Sequence, residues 1–321
     1  MNETLRILNA EADGYDAEAR AILETVGVVE ALESISSEGL AERLRDCDIL
    51  IVRLKYRVGE PLLAAADKLK VVVSATTGVD HLDLEYLERR GVTALTLRGE
   101  TEFLRTISAT AEHAWALLLA VKRRIVKATM MGAVGRWERD QLRGHELAGS
   151  TLGIVGYGRL GQMVAGYGQA FGMQIVVYDP YVQQVAAGEQ VPSLRELFAR
   201  SDAISIHVPL TEETQHFINE DVLACCKPGA VLINTARGGV IDEQALLSAL
   251  RSGRLGGAGL DVIEGEIETD LTNHPLLAYA RQHDHLLITP HIGGATYESM
   301  AKTERFMARK LRDFCRQRGW V

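Results

Sequence analysis

Short apolar runs rich in Val and Ile recur along the first hundred residues, at positions 5–8, 49–54, 71–74 and 92–97. Between them, residues 17–25 and 61–68 carry apolar positions at helical spacing, so strands alternate with helices. Strands without a polar face, separated by helices, predict a parallel sheet covered on both sides. Residues 109–126 then read as one long helix of Ala, Leu and Trp, with Lys122, Arg123 and Arg124 gathered at its end, a connector between two lobes. From Leu152 the alternation restarts, with apolar runs at 175–178, 203–207, 230–233, 258–262 and 286–289. Helix starts among them are marked: Ser193 with Glu196 fits a capping box, and Asp242 before Glu243 fits an N-cap with a first-turn carboxylate. Gly253 closes that second helix, and residues 293–321 predict mostly a helix. The fold class is α/β, two lobes built on parallel sheets.

Composition leaves this picture intact and removes alternatives. A chain of 321 residues holds roughly two domains at about 100–200 residues each. Its 30 Gly and 7 Pro exclude collagen-like and proline-rich chains. The net charge is −8 and the basic residues form no stripe, which argues against a nucleic-acid partner. Cys47, Cys225, Cys226 and Cys315 have the spacing of neither a disulfide framework nor zinc ligands, so reduced thiols and no metal site are expected. The start, Met1-Asn-Glu-Thr-Leu-Arg, leads into an apolar segment too short for a signal sequence, and no run approaches 18 apolar residues. A cytoplasmic protein with no membrane partner is expected.

The first chemical signal is Leu152-Gly-Ile-Val-Gly156-Tyr-Gly158-Arg-Leu-Gly161, a GxGxxG pattern between a predicted strand and a helix over 162–171. Gly156 suits a tight turn, Gly158 lets a pyrophosphate come close, and Gly161 lets the helix pack on the strand. The N–H groups at the helix start attract phosphates. Asp179 stands eighteen positions beyond Gly161, at the end of the next strand, where a carboxylate meets ribose hydroxyls and repels a 2′-phosphate. NAD is therefore favoured over NADP.

Three later segments place reactive groups beyond strand ends, where open α/β sheets bind ligands. Val231-Leu-Ile-Asn234-Thr235-Ala236-Arg237-Gly238-Gly239 sets an Arg among small residues, Gly259-Leu-Asp261-Val-Ile-Glu264-Gly-Glu266 offers carboxylates, and Leu287-Ile-Thr-Pro290-His291-Ile-Gly293-Gly294 offers a His. Singly, each has a bland reading: His291 as a structural residue, Arg237 as a partner of Asp242, Glu266 as a solvated charge. Together, downstream of a dinucleotide turn, they point to catalysis.

With Val52-Arg53, Gly78-Val-Asp80-His-Leu-Asp83, Thr110-Ala-Glu112-His113 and His207-Val-Pro209-Leu-Thr211 plus Thr214, these segments resemble the D-isomer-specific 2-hydroxyacid dehydrogenases over nearly the whole chain. The resemblance implies two Rossmann- or flavodoxin-like lobes with the active site in the cleft between them. Residues 1–109 would be the first part of a substrate-binding domain, 110–291 an NAD-binding Rossmann domain, and 292–321 a helix returning to the substrate-binding domain. It implies hydride exchange between NAD and a D-2-hydroxy acid or 2-keto acid. His291 would be the acid/base, Glu266 its paired carboxylate, and Arg237 the group that holds the substrate carboxylate and polarises its carbonyl. Tyr157, Arg159 and Leu160 would join Gly156, Gly158 and Gly161 around the pyrophosphate. His207, Val208, Pro209, Thr214, Thr235, Ala236, Asp261, Gly293 and Gly294 would line the cofactor, with Arg237 and His291 beside it and Asp261 on the nicotinamide. Thr76, Thr77 and Gly78 would offer N–H groups to the substrate carboxylate, and Arg53 would meet a second negative group of a phosphorylated or dianionic acid. Relatives pair through the nucleotide lobe and the connector helix, so a homodimer is expected.

Two departures from the family pattern stand out. The loop after 92–97 reads Thr96-Leu97-Arg98-Gly99-Glu100 where Asn-Thr-Pro-Gly is usual, and Arg98, Phe103 and Arg105 in it are candidates for substrate preference. Ile267 replaces the usual Pro after Glu266, which implies a less rigid loop over 266–273. The sequence ends near the end of the last helix, so feedback through a regulatory extension is not expected. A second reading from another class is an NAD-sensing binding protein like the C-terminal-binding corepressors, which share the fold and the triad. The absence of a basic patch or disordered tail favours the enzyme. Formate dehydrogenases are disfavoured, because they carry Gln where Glu266 stands.

Overall fold

Strands paired in parallel are covered by helices on both faces, and the apolar runs form such strands. The computed structural model describes residues 4–33, 35–267 and 270–321; Met1, Asn2 and Glu3, from the start read as too short for a signal sequence, lie outside them. One unit comprises residues up to 107 together with 295–321, the other residues 108–294. The first unit begins β1 (Leu5–Asn9), α1 (Ala17–Glu24), β2 (Gly27–Ala31), α2 (Ser37–Arg43), β3 (Ile49–Val52), α3 (Glu60–Leu63), β4 (Val71–Ser74), α4 (Leu84–Arg89), β5 (Thr93–Leu95) and α5 (Thr101–Leu104). Its strands pair in parallel in the order β2-β1-β3-β4-β5. Central β3 and β4 are buried at every position, as their unbroken apolar sequences require.

The second unit runs α6 (Ala109–Lys122), α7 (Ile125–Ala133), β6 (Thr151–Val155), α8 (Arg159–Ala170), β7 (Gln174–Tyr178), β8 (Glu189–Gln190), α9 (Leu194–Arg200), β9 (Ala203–Ile206), α10 (Glu220–Leu223), β10 (Ala230–Asn234), α11 (Glu243–Arg251), β11 (Leu255–Leu260), α12 (Pro275–Ala280) and β12 (Leu286–Ile288). Seven parallel strands pair in the order β12-β11-β10-β9-β6-β7-β8. The order turns back between β6 and β9, and a sheet of this kind binds ligands beyond the carboxyl ends of its strands at that point. Ser193 accepts the Glu196 N–H, Asp242 accepts the N–H groups of Gln244 and Ala245, and Gly253 follows the end of α11 at φ +72°. Among the described residues no helix is long and apolar enough to cross a membrane.

Four elements differ from the sequence pattern. The helix expected over 109–126 is two helices, because Arg124 takes a left-handed φ of +53° that ends one and starts the next. Its guanidinium is anchored there by the Gln141 carbonyl at 3.1 Å and the Asp284 carboxylate at 2.9 Å. The helical pattern at 61–68 yields only the single turn of α3. Edge strands β2 and β8 were not foreseen: β2 is half exposed and β8 is two polar residues, so neither makes an apolar run.

The last helix, α13 (Tyr297–Gln317), completes the first unit. Met307, Ala308, Leu311 and Cys315 on one face share a core with Ile7, Leu23, Ile49 and Val71. Its polar edge grips the start of α1. Asp16 caps α1 by accepting the Ala19 N–H, takes Nε and Nη2 of Arg305 at 2.8 Å each, and donates its own N–H to buried Glu304. The Arg305 hydrogen bonds hold the Asp16 carboxyl down at about 2. A depressed carboxyl stabilises the folded state above its unfolded pKa near 3.8, and that contribution is lost as pH falls through about 2. Asp16→Asn keeps the cap and removes the charge, so it should cost about 1 kcal/mol at neutral pH, discounted for the exposure of Arg305. Denaturant titrations at a series of pH values should show the difference from wild type shrinking from pH 4 towards pH 2.

Candidate active site

At the carboxyl end of β6 the chain turns sharply through Gly156, φ +89°, where a side chain would press within 2.7 Å of Val208 Cγ1 and 2.8 Å of the His207 carbonyl. Gly158 then caps α8 with no side chain of its own, and the space where its Cβ would lie is open to at least 4 Å. The first N–H groups of α8 thus lack a side-chain cap and face a cradle with a partial positive charge. Asp179, just past β7, lies against this turn: Oδ2 accepts the Tyr157 N–H at 2.7 Å and Oδ1 the Tyr181 N–H at 2.9 Å. The expected role of Tyr157 changes accordingly. Its N–H is committed to Asp179, its ring is 3 % exposed and its hydroxyl accepts the Ala187 N–H, so it shapes the turn from behind.

Beyond β9, His207 Nε2 lies 2.8 Å from Ser205 Oγ, while its buried Nδ1 has no partner among the described residues. Burial pushes this imidazole down to about 4, which keeps it neutral. Thr214 donates to the Pro209 carbonyl at 2.7 Å and so fixes the following turn. Beyond β10, the Thr235 hydroxyl is buried and likewise without a partner among the described residues. Asn234 folds the next loop with both ends of its amide, donating to the Arg237 carbonyl and accepting the Ala236 N–H. That role was missed in the sequence; the signal was a polar residue closing the apolar strand Ala230-Val-Leu-Ile-Asn234. Arg237 is half-buried and donates through Nη1 to the Ala236 carbonyl at 2.7 Å.

Asp261 follows β11 and is 1 % exposed. Its Oδ1 accepts from Thr289 Oγ1 at 2.7 Å and from the Ile292 N–H at 2.9 Å, and its Oδ2 accepts the Gly293 N–H at 2.7 Å. His113 Nε2 stands 3.2 Å from Oδ1. Burial alone would raise this carboxyl, but the hydrogen bonds from His113, Thr289, Ile292 and Gly293 hold it below the usual carboxylate range. The carboxylate expected on the nicotinamide is thus first of all the anchor of the His291 loop. His291 has φ +53°, a left-handed conformation that costs a non-glycine residue roughly 1–3 kcal/mol, and its N–H donates to the Asp261 carbonyl at 2.8 Å. Nδ1 of His291 pairs with the Glu266 carboxylate, both side chains being about a quarter exposed or less. Nε2 is then the ring nitrogen open to proton exchange. Glu266 Oε2 in turn accepts the Ile263 N–H at 3.3 Å. Glu268 and Thr269 of the loop over 266–273 lie outside the described residues.

In the first unit, Thr76 closes the turn after β4 by donating to the Gly78 carbonyl at 2.8 Å, and Thr77 is exposed. Arg53 departs from expectation. Its Nη2 pairs with Oε1 of Glu304, a carboxylate 2 % exposed, at 2.5 Å, and its Nη1 donates to the Asp13 carbonyl, so its charge is already matched inside the unit. Phe103 departs too: it stacks on Phe306 at 4.0 Å, while Lys310 of α13 pairs with Glu100, which makes the atypical loop a packing element on α13.

A family model described as D-isomer specific 2-hydroxyacid dehydrogenase, NAD binding domain, matches residues 115–293. The chain is 37% identical over 308 residues to D-3-phosphoglycerate dehydrogenase of Methanocaldococcus jannaschii, covering 95% of this chain and 56% of that protein. It is 37% identical over 300 residues to hydroxypyruvate reductase of Thermotoga maritima, covering 93% and 95%. It thus spans about half the length of some of these relatives and nearly all of others. Among solved structures, D-lactate dehydrogenase from Aquifex aeolicus complexed with NAD and lactic acid superposes with a TM-score of 0.83 at 29% identity, covering 97% and 96%.

Asp261→Asn would turn an amide N–H₂ towards one of the donors around Oδ1 and Oδ2. Leaving buried donors opposed should cost about 2–3 kcal/mol, read as a lowered midpoint in denaturant unfolding.

Proposed function

Because the chain belongs to the D-isomer specific 2-hydroxyacid dehydrogenase family, we propose that it interconverts a D-2-hydroxy acid and its 2-keto acid with NAD. The observation that carries this reading is the Glu266–His291 pair on a left-handed backbone beyond β12, in the same unit as the glycine turn. NAD fits the residues present: the open cradle at Gly158 and the N-terminus of α8 suit a pyrophosphate, Asp179 suits ribose hydroxyls, and the Thr235 hydroxyl and His207 Nδ1, buried without a partner among the described residues, suit polar groups of a cofactor. When bound, NADH supplies the hydride and NAD accepts it.

The chain's own residues then have these roles. His291 Nε2 delivers a proton to the carbonyl oxygen of the keto acid, or takes it from the hydroxyl in the reverse direction. Glu266 fixes the ring's rotation and tautomer and offsets its positive charge while it holds both protons. Arg237 presents the planar fork that matches a carboxylate and polarises the adjacent carbonyl. In the first unit, the backbone N–H groups of Thr76, Thr77 and Gly78 are the proposed donors to an acid's carboxylate. The ion pair of Arg53 with Glu304 supports an acid with a single negative group over a phosphorylated one. Free thiols at all four cysteines support a reducing compartment, the cytoplasm. A homodimer is supported by an apolar stripe on and after α7, where Met130 is 68%, Val134 72% and Trp137 85% exposed.

Purified protein mixed with NADH and a panel of 2-keto acids should oxidise NADH with at least one of them. His291→Asn should lower kcat by about 10²-fold or more and leave the NADH Kd within about twofold. NADH binding without turnover on any acid would overturn the enzyme and leave the cofactor-sensing reading. For the oligomer, Met130→Asp should convert a dimer to a monomer in light scattering, and a monomeric wild type would refute the stripe's role.

A further inference from the structure

Glu266 sits in the loop between β11 and α12, and one side chain from outside, Glu243, touches that loop at two points. Glu243, the first residue of α11, accepts the Glu264 N–H at Oε1 (2.8 Å), and its Oε2 lies 3.2 Å from Nε2 of His274. Glu264 precedes Glu266 by two residues, and His274 stands at the far end of the loop, immediately before Pro275 opens α12. A single carboxylate therefore grips the loop on both sides of Glu266. The grip is largely shielded, with side-chain exposures of 16% for Glu243 and 12% for His274. His274 Nδ1 is buried with no partner among the described residues, so the contact with Glu243 is what orients that ring.

A second strut runs from the same loop to the one carrying Arg237. Glu264 Oε2 lies 3.0 Å from Nε2 of His216, whose own N–H donates to the Gly239 carbonyl at 2.8 Å. Between the struts, Gly238 leaves no room for a side chain against the backbone of Ile263 and Glu264. Burial pushes the Glu243 carboxyl above the usual range, against the pull of the Glu264 N–H and His274, so the pair carries a desolvation cost. A shielded carboxylate–imidazole contact that carries such a cost is a poor source of stability, and its value lies in the geometry that it enforces.

We propose that Glu243 is a positioning residue for the reaction: its carboxylate, holding the Glu264 N–H and His274, sets the place of Glu266 and through it the orientation of His291. The inference rests on the dehydrogenase reading for its kinetic test and on the Glu266–His291 pair alone for its spectroscopic one. A misplacement near 1 Å can cost about 10²-fold in rate. Glu243→Ala should accordingly lower kcat for keto-acid reduction by about 10-fold or more, with the NADH Kd within about twofold of wild type. Glu243→Gln keeps an oxygen for the Glu264 N–H and an N–H₂ for the other tautomer of His274, and should recover most of the rate. In proton NMR, the low-field N–H of His291 against Glu266, identified by its absence in His291→Asn, should broaden or vanish in Glu243→Ala and persist in Glu243→Gln. That readout stands even if the wild type turns over no acid, an outcome that would refute the function but not the positioning. If Glu243→Ala does not fold, His274→Ala removes one anchor and should show the same changes at smaller amplitude. A kcat within about twofold of wild type together with an unchanged low-field signal, or a Glu243→Gln variant as impaired as Glu243→Ala, would overturn the proposal.

Discussion

A carboxylate with 1 % exposure remains an anion only where protein donors replace the water it has lost, and Asp261 is given Thr289, Ile292, Gly293 and His113. Those donors lie on α6 and in the stretch 289–293 just past β12, so one charge fastens two separate segments to the end of β11. The left-handed backbone at His291 depends on the same residue. Its N–H is held by the Asp261 carbonyl, and the next two N–H groups by the Asp261 side chain. Strain at a site survives only when its surroundings over-determine it, and here Asp261, the Thr289 carbonyl and Glu266 together supply that determination.

The chain carries a net charge of −8, yet NAD, whose binding-domain family model it matches, is an anion. Many of its cations are matched locally: Arg53 by Glu304, Lys310 by Glu100, Arg305 by Asp16. Positive potential is therefore made where it is needed by backbone dipoles, above all at the uncapped start of α8, which carry no side-chain charge to be neutralised. The acidic surface and the positive glycine turn are compatible because the field of a helix terminus is short-ranged.

The central strands were legible because parallel pairing demands unbroken apolar runs, and β3, β4, β9 and β10 have them. The caps at Ser193 and Asp242 were legible for an equally local reason, a side chain three residues or fewer from the N–H it accepts. The Glu266–His291 pairing was implied by the family resemblance and not by the spacing of twenty-five residues, and the two side chains are in direct contact. What escaped depends on distant partners. Nothing near Arg53 in sequence announces Glu304, and nothing near Arg124 announces that Asp284 and the Gln141 carbonyl will hold it at a left-handed φ that splits the connector helix. Edge strand β2 escaped because it pairs on one side only and keeps no fully apolar face.

The loop bearing Glu266 shows how rigidity can move from backbone to side chains. A Pro after Glu266 would fix its own φ and restrict the residue before it. With Ile267 in that place the backbone loses this restriction, and the carboxylate proposed to act with His291 still has to be held to a fraction of an ångström. The chain meets the requirement from α11, a well-capped helix packed into the core, whose first residue reaches out to the Glu264 N–H and to His274. Rigidity borrowed from a helix is transmitted through a carboxylate with two oxygens, one for each side of the loop. A hydrophobic residue at position 243 would avoid the desolvation cost but could receive neither donor, so the cost is the consequence of holding a loop by its polar backbone.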